Sequence, residues 1–357
     1  MHKIIAQDIE ELSQRSGLDL FLLKDSKILV AGGNSLIGKY LVWLFCHLNE
    51  NMNLGITLYV LARNLEKAQS TFAEWTDKSY FNLIAQDICQ PLEQSNEALP
   101  AHIDYIFHFA ASASAHHIAQ DPVGIIKANT TGTINLLEYA YKAQAKNVVL
   151  ASTREIYGKL PRDITFIKET DMGALDPLHP RNSYPESKKM AEALFVAYAQ
   201  QYGVPFTILR IAHTYGPSMA LSNDGRVMAD ILGAVVRREN IVFTSDGTAL
   251  RGFCYITDCI DGMLRAAFSS AEPRVFNLAN ETEVLMIREV AQRAIECFPE
   301  RDVELEFAGE ASAAHKGGYN PIPLAQLDTS KIESLGWKPL VSLGEGMRRT
   351  VLSFDEE

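Results

Sequence analysis

Tyr184 and Lys188 stand four residues apart in the segment RNSYPESKKMAEAL. On a helix that spacing puts both side chains on one face. A tyrosine with an ordinary pKa near 10 is a poor base at neutral pH, and a neighbouring ammonium favours the phenolate and lowers that pKa. Such a tyrosine can take a proton from a hydroxyl, or return it, while a hydride moves. The pair alone is not diagnostic, because about 0.6 such spacings arise by chance in a chain with this many tyrosines and lysines; the plain alternative is a solvated helix face. Position decides between the two. Upstream, the apolar run NVVLAST ends in Ser152-Thr153. A strand ending there sets Thr153 at the sheet edge, where its hydroxyl can hydrogen-bond a reacting oxygen beside Tyr184.

The elements that must position these groups alternate along the chain. KILVA, ITLYVLA, FNLIA, YIFHFAA, NVVLAST and FTILRIA are short apolar runs separated by helical stretches. Buried strands alternating with helices predict a parallel sheet covered on both faces, an α/β Rossmann-type doubly wound fold. Residues 1–24 carry a helix-like apolar stripe and are expected to be a helical extension. Residues 25–210 form the dinucleotide-binding unit with the Tyr/Lys pair. From 211 to 357 Gly, Pro and Asn become frequent (YGPSMALSNDG, GYNPIPLAQ), which suits a smaller substrate-binding lobe, with part of 251–268 returning to the first unit. Such a lobe closes a cleft over the strands' carboxyl ends, where ligands bind in this architecture.

VAGGNSLIG joins the first strand to the first helix. Gly32 permits a tight turn and Gly38 lets the helix pack on the strand, while the N–H groups of Ser35, Leu36 and Ile37 at the helix start face a pyrophosphate. Ser35 occupies the place of the usual middle glycine, so it either holds the cofactor further off or donates its hydroxyl to phosphate. The second strand ends in Ala62-Arg63 where an acidic residue would bind the ribose 2′-hydroxyl. That leaves both NAD and NADP open. Asp87, with Ile88 after it, is a candidate for contacting the adenine.

Bulk properties narrow the field. The chain has 357 residues, 47% apolar and 22% charged, with a formal net charge of -11. An acidic surface disfavours nucleic acid, and an anionic small ligand then needs a locally positive site. The five cysteines are scattered and match no zinc spacing, so no metal is expected. Asp8, Glu10 and Glu11 rule out a signal-peptide core, and no run of about 20 apolar residues exists to span a membrane. A cytoplasmic location is expected.

Together, Gly32–Gly38, HFAA at 108–111, KANTTGT at 127–133, STREIYG at 152–158, Tyr184–Lys188, HTYGP at 213–217, RGFCYITD at 251–258 and LDTSKIESLGWKP resemble the extended short-chain dehydrogenase/reductase family, in its nucleotide-sugar epimerase/dehydratase branch. The resemblance covers roughly residues 25–350. It implies oxidation of a sugar hydroxyl, usually at C4, by bound NAD(P)⁺, with NAD the usual cofactor and a nucleotide-diphosphate sugar as substrate. It implies a triad of Thr153, Tyr184 and Lys188, cofactor contacts at Ala110, Ala111 and Asn129, and substrate contacts at Ser112, His213 and Arg251. Arg226, in SNDGRVMAD, is a candidate for reaching the nucleotide, and protonation of His213 would strengthen its hold on phosphate. Arg210 is expected to organise the sheet edge. His116 and His117 are expected at the surface, with a place in the sugar pocket as the alternative.

Dehydratases of this branch carry an Asp-Glu pair after the threonine, and here the pair is Arg154-Glu155. A guanidinium cannot protonate a leaving hydroxyl at pH 7, so 4,6-dehydration is disfavoured and Arg154 becomes a candidate substrate ligand. Glu155 keeps decarboxylation after C4 oxidation open; epimerisation needs no such carboxylate. The alternative is an NADPH-dependent 4-keto-sugar reductase. A third class, a non-catalytic nucleotide sensor, requires a broken triad, and the triad is intact. Helices over 121–143 and 184–202 carry apolar residues on more than one face, and the resemblance implies a homodimer through them.

Overall fold

Strands form where the apolar runs are shortest and richest in branched residues. The structure, a computed structural model, describes residues 1–92, 99–111, 113–161, 163–222, 224–308 and 326–355. Among these, β1 (Lys27–Ala31), β2 (Thr57–Ala62), β3 (Phe81–Ala85), β4 (Tyr105–His108), β5 (Asn147–Thr153), β6 (Phe206–Ile211) and β7 (Val275–Leu278) make one sheet in the order β3-β2-β1-β4-β5-β6-β7. Every pairing in it is parallel. Alternation along β1 shows why both faces are covered: Ile28 and Val30 enter one core and Leu29 and Ala31 the other. The first core takes in α2 (Leu36–Met52) and α3 (Leu65–Thr71), the second α5 (Thr131–Lys142) and α6 (Ser183–Tyr202).

Two expectations about elements need correction. The stretch 121–143 is two helices, α4 (Pro122–Asn129) and α5, separated at Thr130, whose φ of -108° and ψ of -73° leave the regular helix. The return of the chain to the sheet layer is longer than 251–268: α8 (Ile256–Phe268) is followed by β7, which pairs with β6. Beyond the sheet, α7 (Val227–Arg237), α9 (Ile287–Cys297) and α10 (Leu343–Leu352) pack on one another. The segment GYNPIPLAQ lies almost wholly outside the described residues. No helix among the described residues is long and apolar enough to cross a membrane.

The amino-terminal stretch forms α1 (Lys3–Ser13), which buries Ile5, Ile9 and Leu12. It also buries Asp8 completely. Its carboxylate accepts from Tyr40 Oη at 2.8 Å, Tyr255 Oη at 2.6 Å and Arg349 Nη1 at 2.8 Å. Burial pushes the Asp8 pKa up, against the pull of those three donors. Two residues beyond α1, Arg15 pairs with Asp258 at 2.7 Å and Asp261 at 3.3 Å. Paired buried charges of this kind tie together the elements they join.

Candidate active site

The turn after β1 is built by steric necessity. Gly32 has a φ of +87°, and a Cβ there would lie 2.7 Å from the Phe109 carbonyl carbon and 2.8 Å from the Ala110 nitrogen, both backbone. A Cβ on Gly38 would lie 2.4 Å from the Gly32 oxygen. Ser35 is the N-cap of α2, its Oγ accepting from Gly38 N at 3.0 Å. The hydroxyl's own proton remains available to a ligand, so a serine in the glycine's place both caps the helix and can donate. The N–H groups of Leu36 and Ile37 are left at the helix start, and Asn34 Oδ1, on the same turn, is buried without a partner. These features fit a dinucleotide pyrophosphate. Gly32→Ala is expected to lower NAD⁺ affinity at least tenfold and to cost about 1–2 kcal/mol of stability from the backbone conformation alone; calorimetric titration and a melting curve check both, and unchanged affinity would contradict the fit.

A cavity of about 1120 Å³ opens from this turn along the carboxyl ends of the strands. Ser35, Leu36, Ile37, Ala111, Thr153, Arg154, Glu155, Tyr184, Lys188, His213, Arg226 and Arg251 all line it. Gly32 and Gly38 shape the turn without lining the cavity. Ala110 sits against Gly32. Arg63 and Asp87 are exposed outside the cavity, Asp87 capping Cys89 N at 2.9 Å. Ile88 is buried in the second core. Ser112 lies outside the described residues. His116 and His117 are exposed on a short helix over Ala115–Gln120.

Tyr184 and Lys188 are buried on the first two turns of α6, and Thr153 ends β5 beside them. The expected depression of the phenol by Lys188 is absent. Burial holds Tyr184 above its ordinary pKa, the Glu155 charge pushes the same way, and a hydrogen bond from Thr153 with the charges of Arg181 and Arg226 opposes them. Lys188 instead donates to Ala151 O at 2.7 Å, and burial brings its own pKa down to about 8, with Glu192 opposing. Asn129 is fully buried; its Nδ2 donates to Ser187 Oγ at 3.0 Å, and its Oδ1 has no partner.

Electrostatically the cavity is cationic on an acidic chain. Arg154 is buried, with Nη1 3.4 Å from His213 Nε2. Burial lowers its pKa to about 10, Glu281 opposing, which leaves it charged at pH 7. His213 departs from expectation: burial, then Arg154, Arg251 and Arg226, push its pKa well below 6.5. It is neutral at pH 7, so protonation does not strengthen its contacts. Arg226 pairs with Asp224, Nη2 to Oδ2 at 2.9 Å. Arg251 is buried on a short strand, Leu250–Gly252.

Among the cavity's cations not foreseen as site residues are Lys39 and Arg181. Lys39 lies one turn into α2; its Nζ donates to Ser218 O at 2.7 Å and burial lowers its pKa to about 8. A lysine just after Gly38 was the available signal. Arg181 precedes Tyr184 on the one-turn helix Pro180–Asn182, and its Nη2 donates to Glu155 Oε1 at 2.9 Å. Nothing in the local sequence tied Arg181 to Glu155, since 26 positions separate them.

The sheet order, the glycine turn and the Tyr–Lys helix at the strands' carboxyl edge define a nicotinamide-dinucleotide-dependent enzyme of Rossmann type. The chain belongs to the NAD dependent epimerase/dehydratase family, whose model matches residues 28–279. It is 31% identical over 92% of its length to UDP-glucuronic acid decarboxylase 6 of Arabidopsis thaliana, covering 88% of that protein. It is 30% identical to UDP-glucuronic acid decarboxylase 1 of Xenopus tropicalis, over 94% of this chain and 73% of that one. Among solved structures, UDP-glucose 4-epimerase of Thermotoga maritima with UDP-glucose superposes with a TM-score of 0.73 at 25% identity, covering 92% of this chain and 98% of that one. UDP-glucuronic acid 4-epimerase of Bacillus cereus, in complex with UDP-glucuronic acid and NAD, shares the fold at a TM-score of 0.74 and 22% identity, with coverages of 92% and 98%.

Proposed function

We propose that the chain oxidises C4 of a nucleotide-diphosphate uronate and then cleaves its C5 carboxylate, in the manner of a decarboxylase. The observation that carries this reading is the convergence of Thr153, Glu155, Tyr184 and Lys188 in one cavity. The dinucleotide, when bound, supplies a hydride acceptor that later returns the hydride. NAD is the favoured cofactor, because a solved relative of this fold holds NAD; exposed Arg63 after Ala62 leaves room for NADP. Tyr184 takes the C4 hydroxyl proton and gives it back at the end of the cycle, with Thr153 holding the same oxygen. Lys188 and Asn129 orient the cofactor side of the site. A carboxylate β to the new C4 carbonyl loses CO₂ as the C5–C6 bond breaks, its electron pair passing into an enolate on O4. Glu155 is the acid–base group beside Tyr184 for the proton that C5 must then gain. Arg154, Arg226, Arg251 and neutral His213 bind the nucleotide sugar's anionic and polar groups.

The division into units follows: residues 25–210 with 256–278 carry the cofactor side, 211–255 and the later chain the substrate side, and 1–24 braces the two. Homodimer formation through α4, α5 and α6 is supported by Val123, Ile126, Ile134, Tyr141, Met190, Val196 and Tyr202, all exposed on these helices. Sedimentation that finds only monomer would count against it.

The reaction is tested by incubating the purified chain with UDP-glucuronate, UDP-glucose and dTDP-glucose without added cofactor. The expected result is loss of CO₂ from UDP-glucuronate, seen by mass spectrometry. A mass-neutral product from any of the three favours epimerisation. No conversion, together with steady NADPH consumption on a 4-keto sugar nucleotide, would establish the reductase instead.

A further inference from the structure

Glu155 and Arg181 form an ion pair whose remaining polar atoms are left over. Arg181 Nη2 meets Glu155 Oε1 at 2.9 Å, and both side chains are more than four-fifths buried. Arg181 Nε and Nη1 and Glu155 Oε2 have neither surface exposure nor a hydrogen-bond partner. Buried polar groups are normally satisfied, and charged ones are the most costly to leave unmet. A half-satisfied guanidinium in a cavity wall is an arrangement that folding alone disfavours and an anionic occupant completes.

Position says which part of an occupant reaches it. Arg181 lies three residues before Tyr184, both line the same cavity, and the Arg181 charge acts on the Tyr184 phenol. With C4 of a sugar at Tyr184, the substituent on C5 is one carbon away. The nucleotide diphosphate leaves from C1, across the ring, and the same cavity offers it the further cations Arg226 and Arg251. The charged and titratable groups facing Glu155 are Arg181 from the one-turn helix, the neutral phenol of Tyr184 from α6 and Arg154 from its own turn, and the strongest acidic influence on Arg154 is Glu281 rather than Glu155.

We propose that Arg181 reads the C5 carboxylate of the substrate, and that binding exchanges Glu155 for that carboxylate on the guanidinium. Glu155 occupies in the free enzyme the place that the substrate's own carboxylate takes, and the exchange releases it toward C5. A neutral hexose has nothing to displace Glu155 and leaves the pair closed. This inference rests on the decarboxylase reading and adds the residue that selects the substrate.

The test uses the NAD⁺-saturated full chain in a Tyr184→Phe background, so that turnover does not disturb binding, with UDP-glucuronate, UDP-glucose and UDP titrated by calorimetry. Arg181→Met is expected to weaken UDP-glucuronate at least about tenfold relative to UDP-glucose and UDP, the scale of a lost charge-assisted hydrogen bond. Arg181→Lys keeps the charge and is expected to restore part of that selectivity. Glu155→Gln, nearly isosteric, removes the competitor and is expected to tighten UDP-glucuronate while leaving UDP-glucose unchanged. Equal weakening of all three ligands by Arg181→Met, or weaker UDP-glucuronate binding in Glu155→Gln, overturns the exchange. Should Arg181→Met fail to fold, Glu155→Gln decides alone. Binding of UDP with no preference between the two sugars in the parent overturns the inference and leaves C4 oxidation standing; no binding of any of the three overturns both.

Discussion

Tyr184→Phe is expected to lower turnover of the sugar nucleotide by at least about two orders of magnitude, the usual scale for a general acid–base group, with stability within about 1 kcal/mol of the parent. The substitution removes one oxygen from a side chain that is 5% exposed, so packing is kept. Its effect falls on proton transfer. Burial and Glu155 both hold the phenol in its protonated form, and Thr153 pulls only part of the way back. The free chain therefore does not prepare a phenolate. Removing the C4 proton requires the cationic environment of the loaded site, and the same high proton affinity suits Tyr184 to returning a proton later. Chromatographic assay of product, alongside a melting curve, measures both quantities. Unchanged turnover would remove Tyr184 from the chemistry and leave the cavity as a binding site.

Arg210→Met is expected to cost about 3–5 kcal/mol, the scale for stripping one partner from a buried ion pair. Arg210, on β6, donates to Glu192 on α6 through Nε at 3.2 Å and Nη2 at 2.8 Å. Its Nη1 donates to Tyr157 Oη at 3.0 Å and Glu169 O at 2.7 Å, and the guanidinium lies 4.9 Å from the Tyr157 ring centroid. Glu192 also accepts from Ser152 Oγ at 2.5 Å, and Tyr157 Oη donates to Asn277 Oδ1 on β7. One guanidinium thus ties β5, β6, β7 and α6 at the edge where Thr153 and Tyr184 meet. Denaturant midpoints for Arg210→Met and for the double variant Arg210→Met/Glu192→Leu test this. The double variant should recover much of the loss, because no buried charge is then left unpaired; a double variant as unstable as the single one would show that shape, rather than charge, is at stake.

Local pattern carried the parts of the fold that depend on local physics. β1 through β6 follow from short branched runs, and the phosphate turn from glycines with no room for a Cβ. Tyr184 and Lys188 were legible because helical spacing is a local property. What was not legible depends on the chain meeting itself. β7 is a strand only because β6 offers an open edge. The fate of Ser35 as an N-cap depends on where α2 starts. The neutrality of His213 follows from burial first and then from three arginines that arrive from residues 154, 251 and 226. The Glu155–Arg181 pair joins two turns that pack only after β5 and α6 are in place. The break at Thr130 had no composition signal, since NTTGT reads equally well as continuous helix.

Asp8 has a consequence for how the molecule is made. Its partners come from residues 40, 255 and 349. Synthesis proceeds from the amino end, and a buried carboxylate without its cation is costly. The seating of α1 is therefore tied to the arrival of Arg349, 341 positions further along the chain.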